Sequence, residues 1–247
     1  MTGNAASAMG FWGRYFMVLA LVVVPALGVA SYLRIRSGKP LPPKARRYRS
    51  VIVFQLVMLL ITVLAAREAG SPLLGPHFPG PVAWLIAGGT FVFLAFRLRE
   101  AWPKLSPERR QRARIVLPDH PSLMRMWVVI SALAGISEEC AYRGLAFRFL
   151  TAHHGSVPLA LLLCVLSFGV GHMAQGWRGV LGTSVIAVAM HAVVFLTQSL
   201  YLAIVIHAAY DLMVGVIAMP ILNRCAAPPL TQDLEVTSGV DSQPNNS

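Results

Sequence analysis

Glu138-Glu139-Cys140-Ala141-Tyr142-Arg143 sets two carboxylates and a guanidinium inside a long apolar run. At the centre of a membrane helix each such group costs about 2.5–3.5 kcal/mol on an insertion scale, so three within six residues imply that they are used. On a helix, residues four apart share a face, and Glu139 therefore lies over Arg143 and neutralises it. Glu138 points about 100° away, towards whatever other helices supply. One carboxylate reads as structural and the other as free for chemistry.

The surroundings decide that this is a membrane helix. Of 247 residues, 56% are hydrophobic and 13% charged, with a mean hydropathy of +0.63, which indicates an all-α, polytopic membrane helix bundle. The net charge of +11 does not read as a nucleic-acid footprint. Its basic residues cluster between apolar runs, as the positive-inside rule requires. Cys140, Cys164 and Cys225 show no paired or metal-type spacing and read as small, reduced hydrophobes.

In chain order, a first apolar run covers Tyr15–Leu33 and reads as an uncleaved membrane helix. A basic loop with Arg34, Arg36, Lys39, Lys44, Arg46, Arg47 and Arg49 follows. Further spans are expected over Ser50–Ala66 and Pro81–Phe96, and a second basic segment, Arg97–Pro121, comes next. Within it, Ser106 and Glu108 open a short surface helix. Four more helices are expected over Leu123–Leu150, Pro158–Met173, Val180–Leu196 and Leu200–Met219. The plan is thus about seven transmembrane helices: residues 1–122 with three helices and two basic cytoplasmic loops, a four-helix core over 123–219, and a disordered tail over 220–247. The expected location is integral in a bacterial cytoplasmic membrane, N-terminus outside and C-terminus inside, with the lipid bilayer as partner and no nucleic acid.

Three polar sites recur in the last four helices: the acidic pair with Arg143, then Phe168-Gly169-Val170-Gly171-His172, then His207-Ala208-Ala209-Tyr210-Asp211. Each lies in an apolar span and so faces the bundle interior or a water-filled cavity. One free carboxylate with histidines from two other helices is what activating a water requires. A histidine beside an aspartate can donate to a developing oxyanion, with Asp211 holding the tautomer of His207.

These residues, taken in order, resemble the membrane-embedded CaaX protease and bacteriocin-processing family, which includes the type II CaaX prenyl endopeptidase. The family pattern E-E-x-x-x-R, F-x-x-x-H, H-x-x-x-N/D stands here as Glu138-Glu139-x-x-x-Arg143, Phe168-x-x-x-His172 and His207-x-x-x-Asp211. The resemblance implies an intramembrane endopeptidase acting on a membrane-associated or prenylated peptide or protein. Glu138 and His172 would activate the water, His207 and Asp211 would stabilise the oxyanion, and Glu139, Arg143 and Phe168 would support the helices. Asp211 stands where the prenyl endopeptidase has Asn; a carboxylate does not donate as an amide does, which shifts Asp211 towards orienting His207. Glu138, His172 and His207 are also a conceivable Zn²⁺ donor set, although they come from three helices without a local H-E-x-x-H pair.

Plainer readings accompany these. Glu139 with Arg143 is a structural ion pair, Phe168 packs, and His191, which has no acid at helical spacing, is an interior histidine. His77, His120, His153 and His154 fall in expected loops. The competing function is a catalytically silent membrane partner or bacteriocin-immunity-type protein of the same fold. A proton-coupled transporter is disfavoured by the lack of repeated halves.

Overall fold

A computed structural model describes residues 9–74 and 78–224. Its regular elements, among the described residues, are all helical: α1 (Phe11–Arg36), α2 (Lys44–Glu68), α3 (Pro81–Ala101), α4 (Pro107–Val116), α5 (Pro121–Glu139), α6 (Phe147–His154), α7 (Val157–Gly171), α8 (Trp177–Thr197) and α9 (Leu200–Arg224). A π-helical stretch, Cys140–Ala146, joins α5 to α6 without a break, so residues 121–154 form one rod. A second π-helical turn, Leu19–Val23, lies within α1.

Helix starts follow local chemistry. Pro81, Pro107, Pro121 and Pro158 occupy first-turn positions, where the missing N–H costs nothing. Ser106 caps α4 by accepting from Arg109 N, and Ser156 caps α7 by accepting from Leu159 N. Glu68 of α2 reaches the start of α1, where its Oε2 accepts from Gly13 N at 2.9 Å. A carboxylate there satisfies an orphan donor and complements the helix dipole. Gly155, at φ +64°, ends α6 in the left-handed conformation that glycine reaches without strain.

Five helices are long and apolar enough to cross a membrane: Phe11–Arg36, Lys44–Glu68, Pro81–Lys104, Trp177–Thr197 and Leu200–Asn223; Val157–Gly171 is apolar but shorter. The protein is a polytopic helical bundle. All seven expected helices are present as helices, but the rod over 121–154 and α7 fall outside that count. The first is interrupted by Arg125, Glu138, Glu139 and Arg143, and the second has only 15 residues.

The expected boundaries shift at several places. The four-helix segment begins at Pro121 and runs to Arg224 rather than 123–219. Residues 220–224 therefore belong to α9 and not to the tail, because Ile221 and Leu222 pack among Tyr48, Trp102 and Trp127. Pro220 is tolerated inside the helix. His153 and His154 close α6 instead of sitting in a loop. The expected tail from 225 onward, with Cys225 and the C-terminus, lies outside the described residues, as do the extreme N-terminus and His77.

The rod's first half, α5, packs between α2 and α9, while α7 packs between α1 and α8, and α3 lies against α9. Small residues let the backbones approach. A methyl group on Gly135 would come within 2.9 Å of Ala208 and of the Ile204 carbonyl, which marks the α5–α9 contact. Gly28 of α1 similarly faces the carbonyls of Val170 and Gly171.

The two basic segments meet. Lys44 Nζ lies 2.6 Å from Asp119 Oδ2 and donates to Leu117 O, Arg47 donates to Ile115 O, and Tyr48 donates to Val116 O. The start of α2 thus satisfies carbonyls at the end of α4. Away from this end, Arg148 donates to Pro72 O at 2.5 Å and to Ser71 Oγ.

Buried apolar residues form two clusters. One contains Phe16, Met58, Tyr142, Leu145, Cys164 and Phe168; the other contains Tyr48, Trp102, Trp127, Ile130 and Leu222. Along α2 and α5 the polar residues Gln55, Ser137, Glu138 and Glu139 fall between the two.

Candidate active site

The polar layer is built from α2, α5, α7 and α9. At its centre, both members of the acid pair reach the same imidazole. His207 Nδ1 lies 2.7 Å from Glu139 Oε1, and His207 Nε2 lies 3.8 Å from Glu138 Oε2. Asp211 Oδ2, one turn further along α9, stands 3.7 Å from the same Nε2.

Glu139 is fully buried, and its Oε1 also accepts from Arg143 Nη1 at 3.0 Å, as the four-residue spacing predicts. The pairing survives the π-helical stretch that begins at Cys140, a rare conformation that concentrates at functional sites. Arg143 further donates to Ala187 O and lies 4.8 Å from the Phe168 ring centroid, in cation–π geometry.

Because a carboxylate only accepts, Nδ1 of His207 carries the proton and Nε2 presents a lone pair in the neutral ring. The same logic holds for His172. Its Nδ1 lies 2.8 Å from Phe168 O, a carbonyl that only accepts, which leaves Nε2 as the acceptor. His172 sits just past the end of α7, half-buried. The Phe168 ring links the two histidines, with centroids 4.6 Å from His172 and 6.2 Å from His207. Phe168 also stacks edge-on against Tyr142 at 5.3 Å. It packs, as expected, and what it packs against is the site itself.

Glu138 Oε1 accepts from Gln55 Nε2 of α2 at 2.6 Å. Its Oε2 is buried and makes no hydrogen bond among the described residues. Glu138 Oε2 and Asp211 Oδ2 thus both approach His207 Nε2, at 3.8 and 3.7 Å, too far for a direct hydrogen bond.

The sequence reading assigned Glu139 to Arg143 and the holding of His207 to Asp211. In the structure the carboxylate hydrogen-bonded to His207 is Glu139, and Asp211 stands beyond hydrogen-bond distance. The i,i+4 spacing within α9 was visible in the sequence; the contact across α5 and α9 was not. Gln55 and Ser137 were missed altogether. Ser137 Oγ donates to Gln55 Oε1, which completes the amide's bonding. The available signal was that only Gln55 and Thr62 are polar between Ser50 and Arg67. His191 donates from Nδ1 to Ala187 O and stacks on Phe147, consistent with an interior histidine.

The fit to Zn²⁺ is poor. Among the described residues no three His, Cys, Asp or Glu side chains group at spacings able to hold a metal, and that includes Glu138, His172 and His207. Glu138 and His207 approach each other, but together with His172 they do not make a three-donor metal group. Two open concavities also lie apart from this chemistry. One, about 410 Å³, is lined by Phe78, Gly80, Leu196 and Gln198; the other, about 230 Å³, by Leu21, Pro25, Leu166 and Ser167.

Residues 120–213 match the family described as type II CAAX prenyl endopeptidase Rce1-like. The match contains Glu138, Glu139, Arg143, Phe168, His172, His207 and Asp211 and stops short of α1 to α4. No curated protein and no solved structure matches the chain.

Proposed function

Because residues 120–213 belong to the type II CAAX prenyl endopeptidase Rce1-like family, we propose that the protein hydrolyses a peptide bond of a membrane-associated peptide or protein with a water activated by Glu138. The observation carrying this reading is the approach of Glu138 Oε2 and Asp211 Oδ2 to His207 Nε2, at 3.8 and 3.7 Å, with Glu138 Oε2 making no hydrogen bond among the described residues.

In this reading the water gives one proton to Glu138 Oε2 as its oxygen attacks the scissile carbonyl carbon. The carbonyl oxygen becomes the oxyanion of the tetrahedral intermediate. His172, whose Nε2 is free to accept, orients the water from α7. His207, flanked by Glu138, Glu139 and Asp211, carries a second proton and donates it in a hydrogen bond to the oxyanion. The C–N bond then breaks, and Glu138 returns its proton to the leaving amine. Glu139 and Arg143 hold the imidazole and the helix in place. The low-dielectric surroundings strengthen each of these interactions.

The substrate reaches this layer from within the bilayer or from the side carrying the two basic segments, which we place in the cytoplasm. The test compares membrane peptides from cells making the wild type with those from cells making Glu138→Gln. New peptide termini present only with the wild type are expected. Indistinguishable peptide sets at equal protein levels would overturn the reading.

A further inference from the structure

The segment that matches the endopeptidase family holds both carboxylates and both histidines, yet the closest hydrogen bond to Glu138 comes from outside it. Gln55 belongs to α2, 83 positions away in sequence, and its Nε2 stands 2.6 Å from Glu138 Oε1. Gln55 is only 5% exposed in the middle of an apolar helix. A buried amide there is costly unless both of its ends are bonded.

Both ends are bonded, and in one orientation only. A carboxylate accepts and does not donate, so the NH₂ end must face Glu138. The carbonyl end then faces Ser137, whose hydroxyl supplies the donor. Ser137 is fully buried and immediately precedes Glu138 on α5. Ser137, Gln55 and Glu138 thus close a ring between α2 and α5, and a flip of the amide would set its carbonyl against the Glu138 carboxylate. The ring also sorts the two oxygens of Glu138. Oε1 is engaged by Gln55, while Oε2 is left facing His207 Nε2.

We propose that Gln55 is the positioning residue for Glu138: it binds Oε1 and so aims Oε2 at the water. This rests on the hydrolytic reading above for its consequence, but not for its geometry. It gives α2 a role in a site whose chemical groups all come from α5, α7 and α9. Ser137 fixes the amide, and Gln55 fixes the carboxylate.

The test uses the full chain in membranes or detergent. Gln55→Met keeps the shape of the side chain and removes the amide. Its kcat is expected to fall about 10- to 100-fold with KM unchanged, as for a misaimed catalytic group. Gln55→Glu sets a second buried carboxylate against Glu138, where the two share one proton and Glu138 is compromised as a base, so its activity should fall at least as far. A merely structural amide gives no kcat-only loss. A second readout needs no substrate. In protein labelled with ¹³C-glutamate, the infrared carboxylate band lost in Glu138→Gln should move in Gln55→Met. A band that stays in place, or full kcat in Gln55→Met, overturns the positioning role. If instead the band moves while the wild type cleaves nothing, the positioning role stands and the hydrolytic reading fails.

Discussion

His207 Nδ1 and Glu139 Oε1 stand 2.7 Å apart, a contact that joins α9 to α5 across 68 positions of sequence. The same oxygen takes Arg143 Nη1 at 3.0 Å, so one buried carboxylate holds two cationic or proton-bearing partners. Glu139→Ala strands both. Removing one member of a buried pair typically costs about 3–5 kcal/mol, because the remaining charge has no partner. Glu138→Gln is different: its amide oxygen still accepts from Gln55 Nε2. We expect a large drop in thermal unfolding temperature in detergent for Glu139→Ala and a near-wild-type value for Glu138→Gln. Equal unfolding temperatures would contradict this division of labour.

The same contact depends on a glycine outside the motif. Gly135→Ala places a methyl group within 2.9 Å of Ala208 and the Ile204 carbonyl, so α9 must move away from α5. Overpacking of this kind costs about 1–3 kcal/mol. It also stretches the His207–Glu139 bond. Proteolytic activity is expected to fall more than stability, and a cysteine pair bridging α5 and α9 should crosslink less readily than in the wild-type background. Wild-type activity in Gly135→Ala would show that the close approach is not needed.

What was legible in the sequence and what was not divides on the range of the interaction. The pairing of Glu139 with Arg143, the Ser106 cap and the helical character of every expected span are local, and the residues themselves announce them. The bonds from Gln55 to Glu138 and from Glu139 to His207 cross between helices, and no spacing rule within one helix reports them. The sequence pattern also draws these helices too short. Lys44–Arg49 and Ile221–Arg224 look like loop and tail by composition, but are helical because Tyr48 and Leu222 are held in the second apolar cluster.

Topology gives a further prediction. Lys44 and Arg47 meet residues 115–119, which puts the two basic segments on one side of the bundle. By the positive-inside rule we expect that side to face the cytoplasm. With Cys225 replaced by serine and the buried Cys140 and Cys164 retained, cysteines introduced as Ser37→Cys and Glu108→Cys should react with an impermeant maleimide only after lysis. His154→Cys, at the exposed end of α6, should react in intact spheroplasts. The opposite pattern would invert the orientation.

Asp211 offers the sharpest division between roles. Its Oδ2 lies 3.7 Å from His207 Nε2, while Nδ1 of that ring is already held by Glu139. Orientation of the imidazole therefore survives the loss of the Asp211 charge. Asp211→Asn keeps an acceptor oxygen and adds a donor that can reach the water or the oxyanion. We expect most of the proteolytic activity to remain, with KM nearly unchanged. Asp211→Ala removes both functions and does not discriminate between them. If the Asp211 charge is instead essential to carry the second proton on His207, Asp211→Asn should lose as much kcat as His207→Ala. Measuring kcat for both variants on the same substrate decides between the two, and equal losses would assign Asp211 an electrostatic role that Glu138 and Glu139 cannot replace.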